Sequence, residues 1–181
     1  WRDWSSDVCS SDLGLNVEGI RVAGGTNVKV YNNNLYALSH TGNTSSATFS
    51  LVNGINASGT TASATVNIYN NTIGGLTAPA VSDTNAIRGI IVSATGTTST
   101  YNVSYNTINL NGTSSGTNFG ATGLWHTTSA TATTATLNLR NNIIVNNITP
   151  KGTGKAVAYR RSNNTLTNYA SLSNNNLFYA G

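Results

Sequence analysis

Short runs in which aliphatic and polar residues alternate recur along this chain: Val28-Lys29-Val30, Val66-Asn67-Ile68, Tyr101-Asn102-Val103 and Leu137-Asn138-Leu139. A period of two sends successive side chains to opposite faces, so each run predicts a short strand with one buried face. Each run leads to an Asn and then to an aliphatic: Asn33 and Leu35, Asn71 and Ile73, Asn106 and Ile108, Asn142 and Ile144. A fifth, weaker copy spans 170–177, with Asn175 and Leu177 in the same places. A second marker, a small residue before an aliphatic, precedes each run: Gly19-Ile20, Gly54-Ile55, Gly89-Ile90, Gly123-Leu124 and Ala156-Val157, at spacings of 35, 35, 34 and 33.

A fixed period near 35 residues is the signature of a repeat architecture, in which each unit buries its apolar face against its neighbours. If each repeat is one coil, equal positions stack about 4.8 Å apart. Asn33, Asn71, Asn106, Asn142 and Asn175 then form one column whose amides hydrogen-bond along the stack. Asn tolerates left-handed backbone better than other residues with a side chain, so the same Asn is expected to turn the chain. Leu35, Ile73, Ile108, Ile144 and Leu177 are expected to re-enter the core after that turn. The Thr/Ser/Gly runs at 39–48, 60–64, 95–100, 113–117 and 127–136 read as surface loops. The fold class expected is all-β, a solenoid of about five coils.

The pattern from the small-aliphatic marker to Val-x-Val-x-Asn-Asn-x-Ile resembles the right-handed parallel β-helix repeat. That architecture is shared by pectate lyases, polygalacturonases, tailspikes and many adhesins. The Thr/Ser/Gly-rich, acid-poor composition resembles secreted bacterial surface proteins that carry a type IX secretion sorting domain. This resemblance implies an extracellular or cell-surface location. Residues 3–13, from Asp3 through Cys9 to Leu13, resemble the in-frame translation of a sequencing-library adapter. That resemblance implies that 1–13 are not native and that the fold occupies 14–181. The chain stops soon after Leu177 without a polar cap, so a fragment truncated at both ends is expected.

Setting 1–13 aside changes the chemistry open to the chain. Cys9 is the only cysteine, so disulfide, zinc and thiol readings vanish. The acidic residues fall from 5 to 2, Glu18 and Asp83, and the basic ones from 9 to 8, so the formal charge becomes 8 − 2 = +6. The basic residues are scattered and no nucleic-acid motif accompanies them, so no nucleic-acid partner is expected. No apolar run is long enough to span a membrane.

β-Helix enzymes that cleave polysaccharide need paired carboxylates or a calcium cluster. Glu18 and Asp83 lie nearly two coils apart and out of register, so no catalytic residue, metal or cofactor is assigned. His40 is expected to be solvated in a loop. His126, in register with Val22, Ala57, Val92 and Tyr159, is expected to be an interior histidine. One surface constellation has candidate chemistry: Trp125 and Arg160 on neighbouring coils of one face, with Arg161, Lys155 and Lys151 nearby. An exposed indole beside cations can stack on a sugar and pair with a uronate or sulfate. The leading expectation is a structural or adhesive repeat segment without catalysis, whose partners are further coils of its own chain. The alternatives are a carbohydrate-binding β-helix using Trp125, Arg160 and Arg161, or a non-catalytic fragment of a polysaccharide lyase or hydrolase.

Overall fold

The structure, a computed structural model, describes residues 16–43, 51–58, 62–94, 98–128, 136–162, 164, 166 and 168–181. The segment 1–13 and parts of the loops at 39–48, 60–64, 95–100 and 127–136 lie outside the described residues.

The chain is a parallel β-solenoid of about four turns, with no helix among the described residues. Each turn visits three sheets. Sheet A holds β1 (Val17–Val22), β4 (Val52–Ala57), β7 (Asp83–Ala94), β10 (Phe119–Thr128) and β13 (Ala156–Arg161) in that order. Sheet B holds β2 (Asn27–Tyr31), β5 (Thr65–Tyr69), β8 (Thr100–Ser104) and β11 (Thr136–Arg140). Sheet C holds β3 (Asn34–Leu35), β6 (Thr72–Gly74), β9 (Thr107–Gly112), β12 (Ile143–Ile148) and β14 (Leu177–Ala180).

The period-two runs are the strands of sheet B, and their apolar side chains stack in two inward columns. Val28, Val66, Tyr101 and Leu137 form one; Val30, Ile68, Val103 and Leu139 form the other. Ile73, Ile108 and Ile144 of sheet C and Ile55, Ile90 and Leu124 of sheet A close the core from the other sides, all fully buried. Full burial of each such side chain contributes about 1.5–3 kcal/mol. On the outer face of sheet B a second amide column appears, with Asn102 Nδ2 donating to Asn67 Oδ1 at 2.9 Å and Asn138 Nδ2 to Asn102 Oδ1 at 2.8 Å.

The Asn column between sheets B and C is continuous. Asn33, Asn71, Asn106 and Asn142 each donate both backbone N–H and Nδ2–H to the Oδ1 of the Asn one coil on, at 2.9–3.1 Å. The Nδ2 of Asn71, Asn106 and Asn142 also donates to a carbonyl of the preceding coil, Val30, Ile68 and Val103 respectively. The three central asparagines are 1% exposed.

Two details of that column differ from the sequence expectation. The fifth rung is Asn176, which accepts from Asn142 and donates to Leu139, and not Asn175. The run Asn174-Asn175-Asn176 leaves the register ambiguous in sequence, and pairing of Ile143 with Leu177 and Ile144 with Phe178 resolves it one residue later. Leu177 is accordingly 52% exposed instead of re-entering the core. The left-handed residue is also not the rung but the residue before it: Asn32, Asn70, Tyr105, Asn141 and Asn175 have φ of 57°, 54°, 57°, 52° and 52°. The turn and the ladder are thus divided between adjacent positions, because the rung's amide must point into the stack. The fifth passage through sheet B is also reduced to isolated bridges, Leu137 with Tyr169 and Arg140 with Asn174.

The small-residue marker falls on sheet A. Gly19, Gly54, Gly89 and Gly123 are in register, and the fifth position is Ala158, not Ala156, because Leu124 pairs with Tyr159 and Ala121 with Ala156. That corrects the last interval to 35 residues, from 123 to 158. A Cβ on Gly89 would lie 2.5 Å from the Gly123 oxygen and 2.7 Å from Ile108 Cγ2. The core of sheet C is therefore pressed against bare backbone at this position.

Candidate functional site

On either side of that glycine column run two further columns of sheet A. One runs Glu18, Asn53, Arg88, Thr122, Val157; the other runs Arg21, Asn56, Ile91, Trp125, Arg160. In the first coils they meet through Glu18, which accepts from Asn56 Nδ2 at 2.6 Å and lies 3.9 Å from Arg21. In the later coils the meeting is cationic. The Arg88 guanidinium carbon lies 3.9 Å from the Trp125 ring centre and that of Arg160 lies 4.7 Å from it. One guanidinium comes from the coil before the indole and the other from the coil after. Such contacts contribute about 0.5–1 kcal/mol when exposed and about 2 kcal/mol when desolvated.

The indole is fixed by Nε1 donating to Thr127 Oγ1 at 2.8 Å, and Arg160 Nη1 donates to Asn85 Oδ1 at 3.0 Å. Burial, then the Arg160 charge, push Arg88 down to about 10, while Asp83 works in the opposite direction. Asp83 is 6% exposed and accepts from the Asn85 backbone N–H at 2.7 Å. Beside this cluster lies a groove of about 360 Å³ lined by Thr84, Thr153, Lys155, Val157 and Arg160.

Trp125 and Arg160 are thus neighbours, paired directly in register. Arg161 is not part of that face. It aligns with His126, and its Nη1 lies 3.1 Å from His126 Nδ1. Sequence reasoning does not find Arg88, Asn85 and Thr84, although one signal points to Arg88: it directly precedes Gly89, and Trp125 follows Gly123 by two, so both flank the glycine column.

His126 is fully buried in the column of Val22, Ala57 and Val92, as its spacing indicates, but its neighbour on the last coil is Arg161 and not Tyr159. Tyr159 still reaches it, with the hydroxyl 3.1 Å from Nδ1. Burial, reinforced by the Arg161 charge, lowers the His126 pKa to about 4. Neutral in the fold, His126 contributes stability that is fully present above its unfolded value of about 6.5 and is lost as pH falls through that value towards 4. The loss is expected to reach about 3 kcal/mol once pH is below 4. Urea denaturation at pH 7.5, 5.5 and 4 tests this: the midpoint should fall stepwise in the native chain and much less in His126→Leu.

His40 is also fully buried, against the expectation of a solvated loop. Ser39 bridges Thr77 on the next coil and His40 N–H donates to the Thr77 carbonyl at 3.0 Å, so alternation continues past β3 and turns His40 inward. Neither ring nitrogen has a hydrogen-bond partner among the described residues. Asn146, fully buried in sheet C, was also unforeseen; its Nδ2 ties the carbonyls of Ala121 and Val157 at 2.8 and 3.0 Å.

Glu18 stands in register with Arg88 two coils on, whereas Asp83 lies five residues before Arg88 in β7, so the two carboxylates share no column. Among the described residues no group of three or more His, Cys, Asp or Glu gathers around a possible metal position. No helix among them is long and apolar enough to cross a membrane. Comparisons with family models, curated proteins and solved structures find no match to this chain. The class that the fold defines is therefore the parallel β-solenoid.

Proposed function

We propose that this chain is a structural or adhesive repeat segment of an extracellular or cell-surface protein: a rigid, charge-poor spacer without catalysis of its own. The observation that carries this reading is the unbroken amide column from Asn33 to Asn176, in which every rung is bonded to the next. In such a stack each coil is stable only through its neighbours, so load applied along the axis is shared by the whole column. The sheets rise by about 4.8 Å per coil, and further coils of the same chain would extend the rod without altering its cross-section. A right-handed coil is the sense favoured for crossovers between parallel strands of one sheet. The lack of register between Glu18 and Asp83 supports the non-catalytic part of the reading.

Pulling single molecules from both ends tests the spacer role. A load-bearing solenoid holds its length and then yields in discrete steps, each lost coil of 35 residues releasing roughly 120 Å of chain. Smooth extension at low force would count against the proposal.

A further inference from the structure

We infer that the groove beside Arg88, Trp125 and Arg160 binds an oxyanion, a carboxylate or sulfate, carried on a hydroxylated chain such as an acidic polysaccharide. A spacer has no use for this cluster, so the inference goes beyond the structural reading. Arg88 and Arg160 are held against one indole from successive sides of the stack, with Lys155 lining the same groove. Packing like charges together costs stability unless something opposite offsets them. Asp83, which accepts from the Asn85 backbone N–H, offsets part of the Arg88 charge, but the lining of the groove itself holds Lys155 and Arg160 and no carboxylate. The groove thus presents two cations with no anion in its own lining, which an oxyanion supplies, and guanidinium matches a carboxylate or sulfate geometrically.

The lining narrows the ligand further. Thr84 and Thr153 bring hydroxyls beside the cations, and Val157 is the apolar residue of the groove. A chain bearing both hydroxyls and acidic groups meets that lining. Trp125, with guanidiniums lying over it, is not a free stacking platform for a neutral sugar or a nucleobase. Its part is to position the two arginines, which changes the role expected of it from sequence.

The test is calorimetric titration of the whole chain with a chondroitin sulfate hexasaccharide. Inorganic sulfate and free glucuronate serve as monomeric arms, with neutral dextran and a single-stranded DNA of equal charge for comparison. Binding to the hexasaccharide is expected to exceed that to either monomer and to weaken with salt. Arg160→Gln should reduce affinity at least tenfold, whereas Arg21→Gln, in the same outer column four coils away, should leave it unchanged. Arg160 is exposed, so its variant is expected to fold, and circular dichroism checks that it does. Equal binding of monomers and hexasaccharide would overturn the polymeric ligand. Equal binding of dextran or DNA, equal losses from both arginine variants, or no binding would overturn the site.

Discussion

Asn106→Ala is expected to be among the most destabilising single substitutions in this chain, at roughly 3–5 kcal/mol. Asn106 sits mid-column: its Oδ1 accepts from the N–H and Nδ2 of Asn71, and its Nδ2 donates to Ile68 O, Ser104 O and Asn142 Oδ1. Alanine abolishes all of these at a site 1% exposed to solvent, and the stranded groups belong to three different coils. Each buried polar group left unpaired costs about 1–3 kcal/mol, and water has little room to replace the amide. Asn106→Asp makes the sharper comparison. It keeps the acceptors but loses the donors and buries a charge, so it is expected to be at least as harmful at pH 7 and milder in acid, where the carboxyl is protonated. Chemical denaturation of both variants checks the order. A loss under 1 kcal/mol for Asn106→Ala would mean that the ladder is incidental to stability.

Gly89→Ala is expected to cost roughly 3 kcal/mol, an unusual penalty for adding one methyl. The new Cβ would meet the Gly123 carbonyl oxygen at 2.5 Å and Ile108 Cγ2 at 2.7 Å. Ile108 can yield, but the carbonyl belongs to the next strand of sheet A. Adding Ile108→Ala should therefore give little recovery, since it opens a cavity while leaving the backbone clash in place. Gly112→Ala provides the contrast. That site has φ of +113° and nothing within 4 Å, so its cost is backbone strain alone, about 1–2 kcal/mol. Thermal unfolding of the three variants separates steric from conformational cost. Ala158 is the one non-glycine residue of this column, and among the described residues its strand, β13, has a neighbour on one side alone in sheet A.

That detail shows what was legible in the sequence and what was not. Sheet B could be read because apolar and polar residues alternate through each of its runs, and the rungs Asn33 to Asn142 follow from a nearly constant interval. Register failed on the last coil, where the cues change. Alanine replaces the blocked glycine and makes Ala156 and Ala158 equally plausible markers, and three consecutive asparagines blur the rung between Asn175 and Asn176. Tyr105 in the left-handed turn position shows why the turn residue itself was misassigned. Composition gives no hint that tyrosine occupies it, since the stack and not the residue's own preference holds it there.

The candidate site was half visible for a related reason. Trp125 and Arg160 stand out as rare residues in a charge-poor chain. Arg88 reaches Trp125 from the neighbouring strand and from the other side of the glycine column, a contact between columns that spacing along the chain does not display. Arg161 looked equivalent to Arg160 in sequence, yet adjacent strand residues face opposite ways, and it turns to His126. Thr/Ser/Gly composition suggests a loop around His40, whereas the Ser39–Thr77 bridge keeps that stretch in the coil.

The central claim is that coils of about 35 residues stack in one register, and a disulfide map tests it most directly. Ser82 and Thr117, one coil apart, have their hydroxyls 2.9 Å from each other on the surface. With Cys9→Ser to remove the chain's single thiol, Ser82→Cys with Thr117→Cys is predicted to oxidise rapidly and completely. Ser82→Cys with Thr113→Cys, four residues out of register, should stay reduced under the same conditions. Failure of the first pair, or equal oxidation of both, would contradict the stacked solenoid.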